Sequence, residues 1–160
     1  MRCAMSKIAI VTDSNSGITQ AQGKELGIHV IPMPFYINEE LFYEDITLTQ
    51  DEFYQKLRNG MYARTSQINP SIYSDYFSSA LEDGFDVLYM SFSSEMSSTY
   101  TSAELSKIEL EEEYPERKII CIDTLCAAVG EGLLVCEALS RQQEGLSIEE
   151  LATWVEEHKL

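Results

Sequence analysis

Basic side chains are scarce in this 160-residue sequence. Its 11 lysines and arginines stand against 27 aspartates and glutamates, a formal net charge of -16 at pH 7. A nucleic-acid duplex is repelled by such a chain, and no local run of Lys or Arg makes an exception. Anionic membrane surfaces are disfavoured for the same reason. Histidine is nearly absent, with only His29 and His158. Neither follows a predicted strand and no Gly-x-Ser-x-Gly elbow occurs, so serine-hydrolase chemistry lacks both its base and its turn. The first turn has no G-x-G-x-x-G run, which leaves a dinucleotide without its phosphate cradle. No apolar stretch approaches the roughly 20 residues that cross a bilayer, so no stable membrane insertion is expected. Met1-Arg2-Cys3-Ala4-Met5 lacks the apolar core of a signal peptide, and Met5 is an alternative start that would make residues 1–4 an extension. Cys3, Cys121, Cys126 and Cys136 form no C-x-x-C pair and have no histidines at metal spacing. They are expected to be free, with Cys121 buried in a strand and Cys126 and Cys136 buried in a helix, a state that suits a reducing cytoplasm. No metal or cofactor is called for.

What is present is an alternation of strand and helix signals. Residues 7–12 form a near-continuous apolar run that ends in the turn cluster Asp13-Ser14-Asn15-Ser16-Gly17, as a central parallel strand does. Thr19 with Gln22, Thr49 with Glu52, and Ser147 with Glu150 have capping-box spacing, and Asn69-Pro70 is a helix start of the Pro-at-first-position kind. Residues 28–31, 86–90 and 118–122 are further buried strands. Pro32 and Pro34 interrupt the chain before a small hairpin through Asn38-Glu39-Glu40. Residues 63–67 read as an irregular connection between two helices, and helices are expected from Met96 to Glu113 and from Cys126 to Arg141. Gly130 and Gly132 in the latter suggest close approach to the sheet. The fold class is α/β: a mostly parallel sheet with helices on both faces and a small hairpin insertion, in one domain.

Ligands in such folds gather at the carboxyl ends of the strands. Asp13-Ser14, the hydroxyl-rich turn from Ser91 to Ser102, and Asp123-Thr124 each follow a strand directly and are expected at that edge. A helix start supplies unpaired N–H groups and the positive end of the helix dipole, so serines there can help to hold an anion without formal charge. Any single serine is equally well explained as a cap or turn former. Asp13 invites comparison with aspartate-nucleophile phosphotransferases, but the second acid those enzymes use two residues on is Asn15 here. Two carboxylates, Asp13 and Asp123, are few for Mg²⁺ work, and Asp13 capping its own turn explains it as well. What remains is an anion cradle in apolar and aromatic surroundings, fit for a ligand with an acidic head and a greasy body.

Ile10-Val11-Thr12-Asp13-Ser14, Thr65-Ser66-Gln67, the run from Ser94 to Ala103, and Ile122-Asp123-Thr124 leading to Gly130-Glu131-Gly132 together resemble the N-terminal domain of the DegV family of bacterial fatty-acid-binding proteins. The order and spacing cover nearly the whole chain. The resemblance implies a non-enzymatic, cytoplasmic carrier of a long-chain fatty acid that presents the carboxylate to a fatty-acid kinase for acyl phosphate formation. It places the head-group contacts on Thr65 and Ser97, to which backbone N–H groups of Ser97 or Ser98 add; Asp13, Ser14, Ser94 and Asp123, at the strand ends, are candidates for support. Ser98 stands where the family commonly has glycine. The family's second domain, which closes over the acyl tail, is expected to be absent from residues 1–160, so that the chain is a fragment or is completed by another copy. Two other classes remain open at this point: an aspartate-dependent phosphotransferase, and an interaction domain regulated by a small molecule.

Overall fold

Seven strands and six helices form among residues 7–159, the residues that the computed structural model describes. The expectations for Cys3 and for a start at Met5 lie outside them. In chain order the elements are β1 (Lys7–Asp13), α1 (Gln20–Leu26), β2 (His29–Ile31), β3 (Pro34–Ile37), β4 (Glu40–Tyr43), α2 (Gln50–Arg58), β5 (Ala63–Thr65), α3 (Pro70–Glu82), β6 (Phe85–Ser91), α4 (Thr99–Glu113), β7 (Ile119–Asp123), α5 (Val129–Gln143) and α6 (Ile148–His158). A 3₁₀ turn, Ser14–Ser16, links β1 to α1. The main sheet runs β2-β1-β6-β7 with every pair parallel, and a smaller antiparallel sheet runs β4-β3-β5.

Period-2 alternation sends the strand side chains to two cores. Ile8, Ile10, Leu88, Met90 and Ile122 pack under α5 and α6, while Ala9, Val11, Val87, Tyr89 and Cys121 pack under α3 and α4. Each fully buried Leu, Ile or Val contributes about 1.5–3 kcal/mol, so the two faces together supply most of the driving force. All three capping boxes form, at Thr19, Thr49 and Ser147, and Asn69 caps α3 with Pro70 at its first position. Trp154 on α6, the only tryptophan in the sequence, stacks on His158 one turn later at a centroid distance of 4.4 Å, with the Arg141 guanidinium 5.4 Å from its ring. No helix among the described residues is long and apolar enough to cross a membrane.

Five local expectations need correction. Residues 63–65 are strand, not irregular chain: β5 completes the small sheet against β3, pairing Thr65 with Phe35 and Ala63 with Ile37. The helix expected from Met96 begins at Thr99, and the one expected from Cys126 begins at Val129, because residues 125–128 are used to turn the chain. Leu125 and Ala128 have φ of 56° and 49° there, a left-handed backbone that costs non-glycine residues about 1–3 kcal/mol each. Of the two glycines in α5, only Gly132 marks a close approach, and its neighbour is the turn after β1: an added Cβ would meet the Ser16 carbonyl oxygen at 2.4 Å, whereas at Gly130 nothing comes within 3.6 Å. Finally, Cys121 is buried in β7 as expected, but Cys126 is half-buried in the loop and Cys136 is exposed on the outer side of α5.

Candidate ligand site

The three turns expected at one sheet edge do meet there, and hydrogen bonds tie them together. Asp13, fully buried at the end of β1, accepts four. Oδ1 takes the Asn15 backbone N–H (3.0 Å) and the Asn15 side-chain amide (2.8 Å), and Oδ2 takes the Tyr89 hydroxyl (2.9 Å) and the Phe92 N–H (3.1 Å). Tyr89 spends its proton on Asp13, so the Tyr73 hydroxyl 2.9 Å away donates to Tyr89. Burial pushes the Asp13 carboxyl up, opposed by the bonds from Phe92, Asn15 and Tyr89. A carboxylate enclosed by four donors is not placed to attack phosphorus or to ligate a metal, so the phosphotransferase reading loses its nucleophile.

The hydroxyl-rich turn is engaged in the same way. Ser91 Oγ donates to the Phe92 carbonyl, and Ser93 Oγ accepts the Glu95 N–H. Asp123 Oδ1 accepts the Ser94 and Leu125 N–H groups at 3.1 Å each, clasping the two loops together. Ser97 Oγ lies 2.8 Å from Thr99 Oγ1 and accepts the Thr99 N–H, while Ser98, the residue before α4, makes no side-chain cap. Ser97 therefore closes the first turn of α4. Ser97→Ala should lower stability by about 1 kcal/mol, a loss measurable by urea denaturation.

Beside this edge lies a cleft of about 470 Å³ between the small sheet and α2, walled by Phe35, Phe53, Tyr54, Leu57 and Tyr62. Two of its wall rings pack on each other, Phe35 meeting the edge of Phe53 at 5.2 Å, and the buried Phe42 backs Phe35 at 5.8 Å. Polar side chains also line it, Thr49 and Gln50 at the start of α2 among them. Asn15, Glu44 and Thr65 all line the cleft, and all flank residues 33–35: the Glu44 N–H bonds the Met33 carbonyl, Thr65 pairs with Phe35, and Met33 N–H bonds Ser14 Oγ next to Asn15. From Glu44 the chain passes through Leu48 into α2, which leads away to Leu57, Met61 and Tyr62. Tyr54, Met61 and Tyr62 are also exposed, so the cleft opens to solvent.

Thr65 thus stands on the cleft wall at the end of β5. Ser97 and Ser98 are not on that wall, and no hydrogen bond among the described residues joins Ser97 to Thr65. The connection is indirect, running from Asn15 on the cleft through Asp13 to Phe92 in the serine turn. Ser14 is occupied, donating to Glu44 Oε2 at 2.7 Å while accepting from Met33. Asn15, which stands where a second acid would be, lines the cleft while its side-chain amide donates back to Asp13.

Glu131 is a further buried acid, with no signal in the sequence beyond its flanking glycines. It is inaccessible to solvent in the first turn of α5, and its Oε2 has no partner. Burial first, and the charge of Asp13 second, push its carboxyl up to about 10 against the pull of a Thr12 hydrogen bond, so it is neutral at pH 7. Thr12 Oγ1 lies 3.0 Å from Glu131 Oε1 and 3.1 Å from the Met90 carbonyl. One hydroxyl proton cannot serve both. The protonated Glu131 gives its proton to Thr12, which passes its own to Met90.

A family model described as uncharacterised protein, DegV family, matches residues 7–160. A DegV domain-containing protein of Clostridium perfringens is 37% identical over 157 residues, which are 97% of this chain and 54% of that protein. Among solved structures, a stearic acid-binding protein from Eubacterium ventriosum superposes with a TM-score of 0.87 at 26% identity, over 93% of this chain and 52% of its own. A fatty-acid-binding DegV family protein from Thermus thermophilus does so with a TM-score of 0.82 at 31% identity, over 96% and 53%. The chain spans about half the length of the relatives it matches. From the four motifs in register to the matched backbone, the observations agree that this chain belongs to the DegV family.

Proposed function

We propose that this chain binds a long-chain fatty acid, laying the acyl chain along the aromatic cleft with its carboxyl group at the Asn15 and Thr65 end. The observation that carries this reading is the cleft's lining: aromatic and aliphatic walls with hydrogen-bonding side chains of Asn15, Glu44, Thr49, Gln50 and Thr65 among them, in a volume typical of small-molecule pockets. Fatty-acid binding by related proteins of 26% and 31% identity supports it. The role is that of a cytoplasmic carrier that presents the carboxyl group to a fatty-acid kinase. The phosphoryl chemistry then belongs to the kinase, in keeping with an Asp13 committed to structure.

Each methylene buried contributes about 0.8 kcal/mol, so the tail supplies more affinity than the head. The open side of the cleft leaves part of that tail wet, and the additional length of the relatives is available to cover it. The 160-residue chain is therefore expected to hold fatty acid weakly and to lose it during purification. Mass spectrometry of denatured extracts checks this, and a stoichiometric fatty acid on the isolated chain would contradict it. Titration with hexadecanoic acid and hexadecan-1-ol tests the site itself. Thr65→Val removes one hydroxyl at nearly constant volume and should weaken the acid about tenfold or more, as loss of a hydrogen bond to a charged group does, with a smaller effect on the alcohol. Equal losses for both ligands would mean that Thr65 only shapes the strand.

A further inference from the structure

The lining of the cleft carries one formal charge, and it is negative. Among the side chains that line the cleft, Glu44 is the only acid and none is lysine or arginine. Its position is fixed from two sides: Ser14 Oγ donates to Oε2, and the Glu44 backbone N–H bonds the Met33 carbonyl. Ser14 has one proton and has given it away, so it cannot also neutralise a ligand. Glu44 Oε1 makes no hydrogen bond to any described residue and remains an open acceptor on a half-buried side chain. An incoming carboxylate meets like charge beside a half-buried side chain, where water screens it less than in bulk. A hydroxyl or a protonated carboxyl meets an acceptor instead.

We propose that Glu44 sets the head-group preference of the cleft, penalising an ionised carboxylate relative to a neutral, hydrogen-donating head group on the same acyl chain. The inference rests on the reading of the cleft as an acyl-chain site and goes beyond it by naming what tunes its selectivity. Thr65 and Asn15 supply donors that any oxygen-bearing head can use, and Glu44 decides which protonation state is favoured.

Glu44→Gln is the direct test, because glutamine keeps the shape and can still accept from Ser14 through its Oε1. Displacement of a fluorescent fatty-acid analogue by hexadecanoic acid and by hexadecan-1-ol is measured near pH 8 on the full 160-residue chain. Glu137→Gln, an exposed acid on α5, controls for the change in net charge. The expected result is about tenfold tighter binding of the acid to Glu44→Gln, with the alcohol and the Glu137→Gln control changing less than about threefold. An unchanged acid affinity, or an equal gain for both ligands, overturns the role of Glu44 while leaving the acyl-chain site standing. Binding of neither ligand to any variant overturns the acyl-chain reading, and this inference with it.

Discussion

Glu131→Gln should stabilise the chain by about 3 kcal/mol at pH 7 and remove most of its loss of stability toward alkaline pH. The wild-type carboxyl ionises near 4.5 when unfolded but holds its proton up to about 10 when folded. Between these values the unfolded state binds fewer protons than the folded one, so stability falls as pH rises through that window and levels off above it. Each unit above 4.5 costs about 1.4 kcal/mol, which gives the figure at pH 7. Glutamine has no proton to lose, and its amide N–H can take over the bond to Thr12. Urea denaturation at pH 5.5, 7 and 8.5 would show converging curves at the acid end and widening separation above it. A wild type equally stable at all three would refute the account.

Asp13→Ala should have the opposite sign and a comparable size, a loss of roughly 4 kcal/mol. The substitution strands the Tyr89 hydroxyl and the N–H groups of Phe92 and Asn15, each costing about 1–3 kcal/mol when buried without a partner. It also removes the bond that holds the side-chain amide of Asn15, a residue of the cleft lining. Tyr89→Phe, which removes one of the four bonds to Asp13 and leaves the buried Tyr73 hydroxyl without its acceptor, should cost less, about 2 kcal/mol. The comparison separates a bracing carboxylate from a generally fragile edge: losses of equal size in the two variants would argue against the bracing role. Ligand binding by Asp13→Ala, measured where the variant is still folded, should weaken along with Asn15.

The elements that could be read in advance are those whose signals are local. Capping boxes at Thr19, Thr49 and Ser147 each need only four consecutive residues, and all three form. The four buried parallel strands announce themselves by continuous apolar runs. β5 does not, because Ala63-Arg64-Thr65 is too short to show a period and owes its conformation to β3, almost 30 residues earlier in the chain. The start of α5 is hidden in the sequence for a similar reason. Nothing local tells Leu125 or Ala128 to adopt a left-handed backbone; the Asp123 clasp and the turn into the helix impose it. At the site, Thr65 was reached through its motif, but the cleft it lines is made by side chains from β3, α2 and the segment before β5, and no motif lists them together. Glu131 shows how far burial can outrun the sequence, since a charged residue between two glycines gives no hint that it is sealed inside and neutral.

The stacking of Trp154 between α5 and α6 has a practical corollary. Its indole is the sole tryptophan emitter and reports on how these two helices are docked, on the sheet face opposite α3 and α4. The cleft rim carries tyrosines instead, Tyr54 and Tyr62. Excitation at the red edge, where the nine tyrosines are silent, therefore follows the docking of α5 and α6 alone.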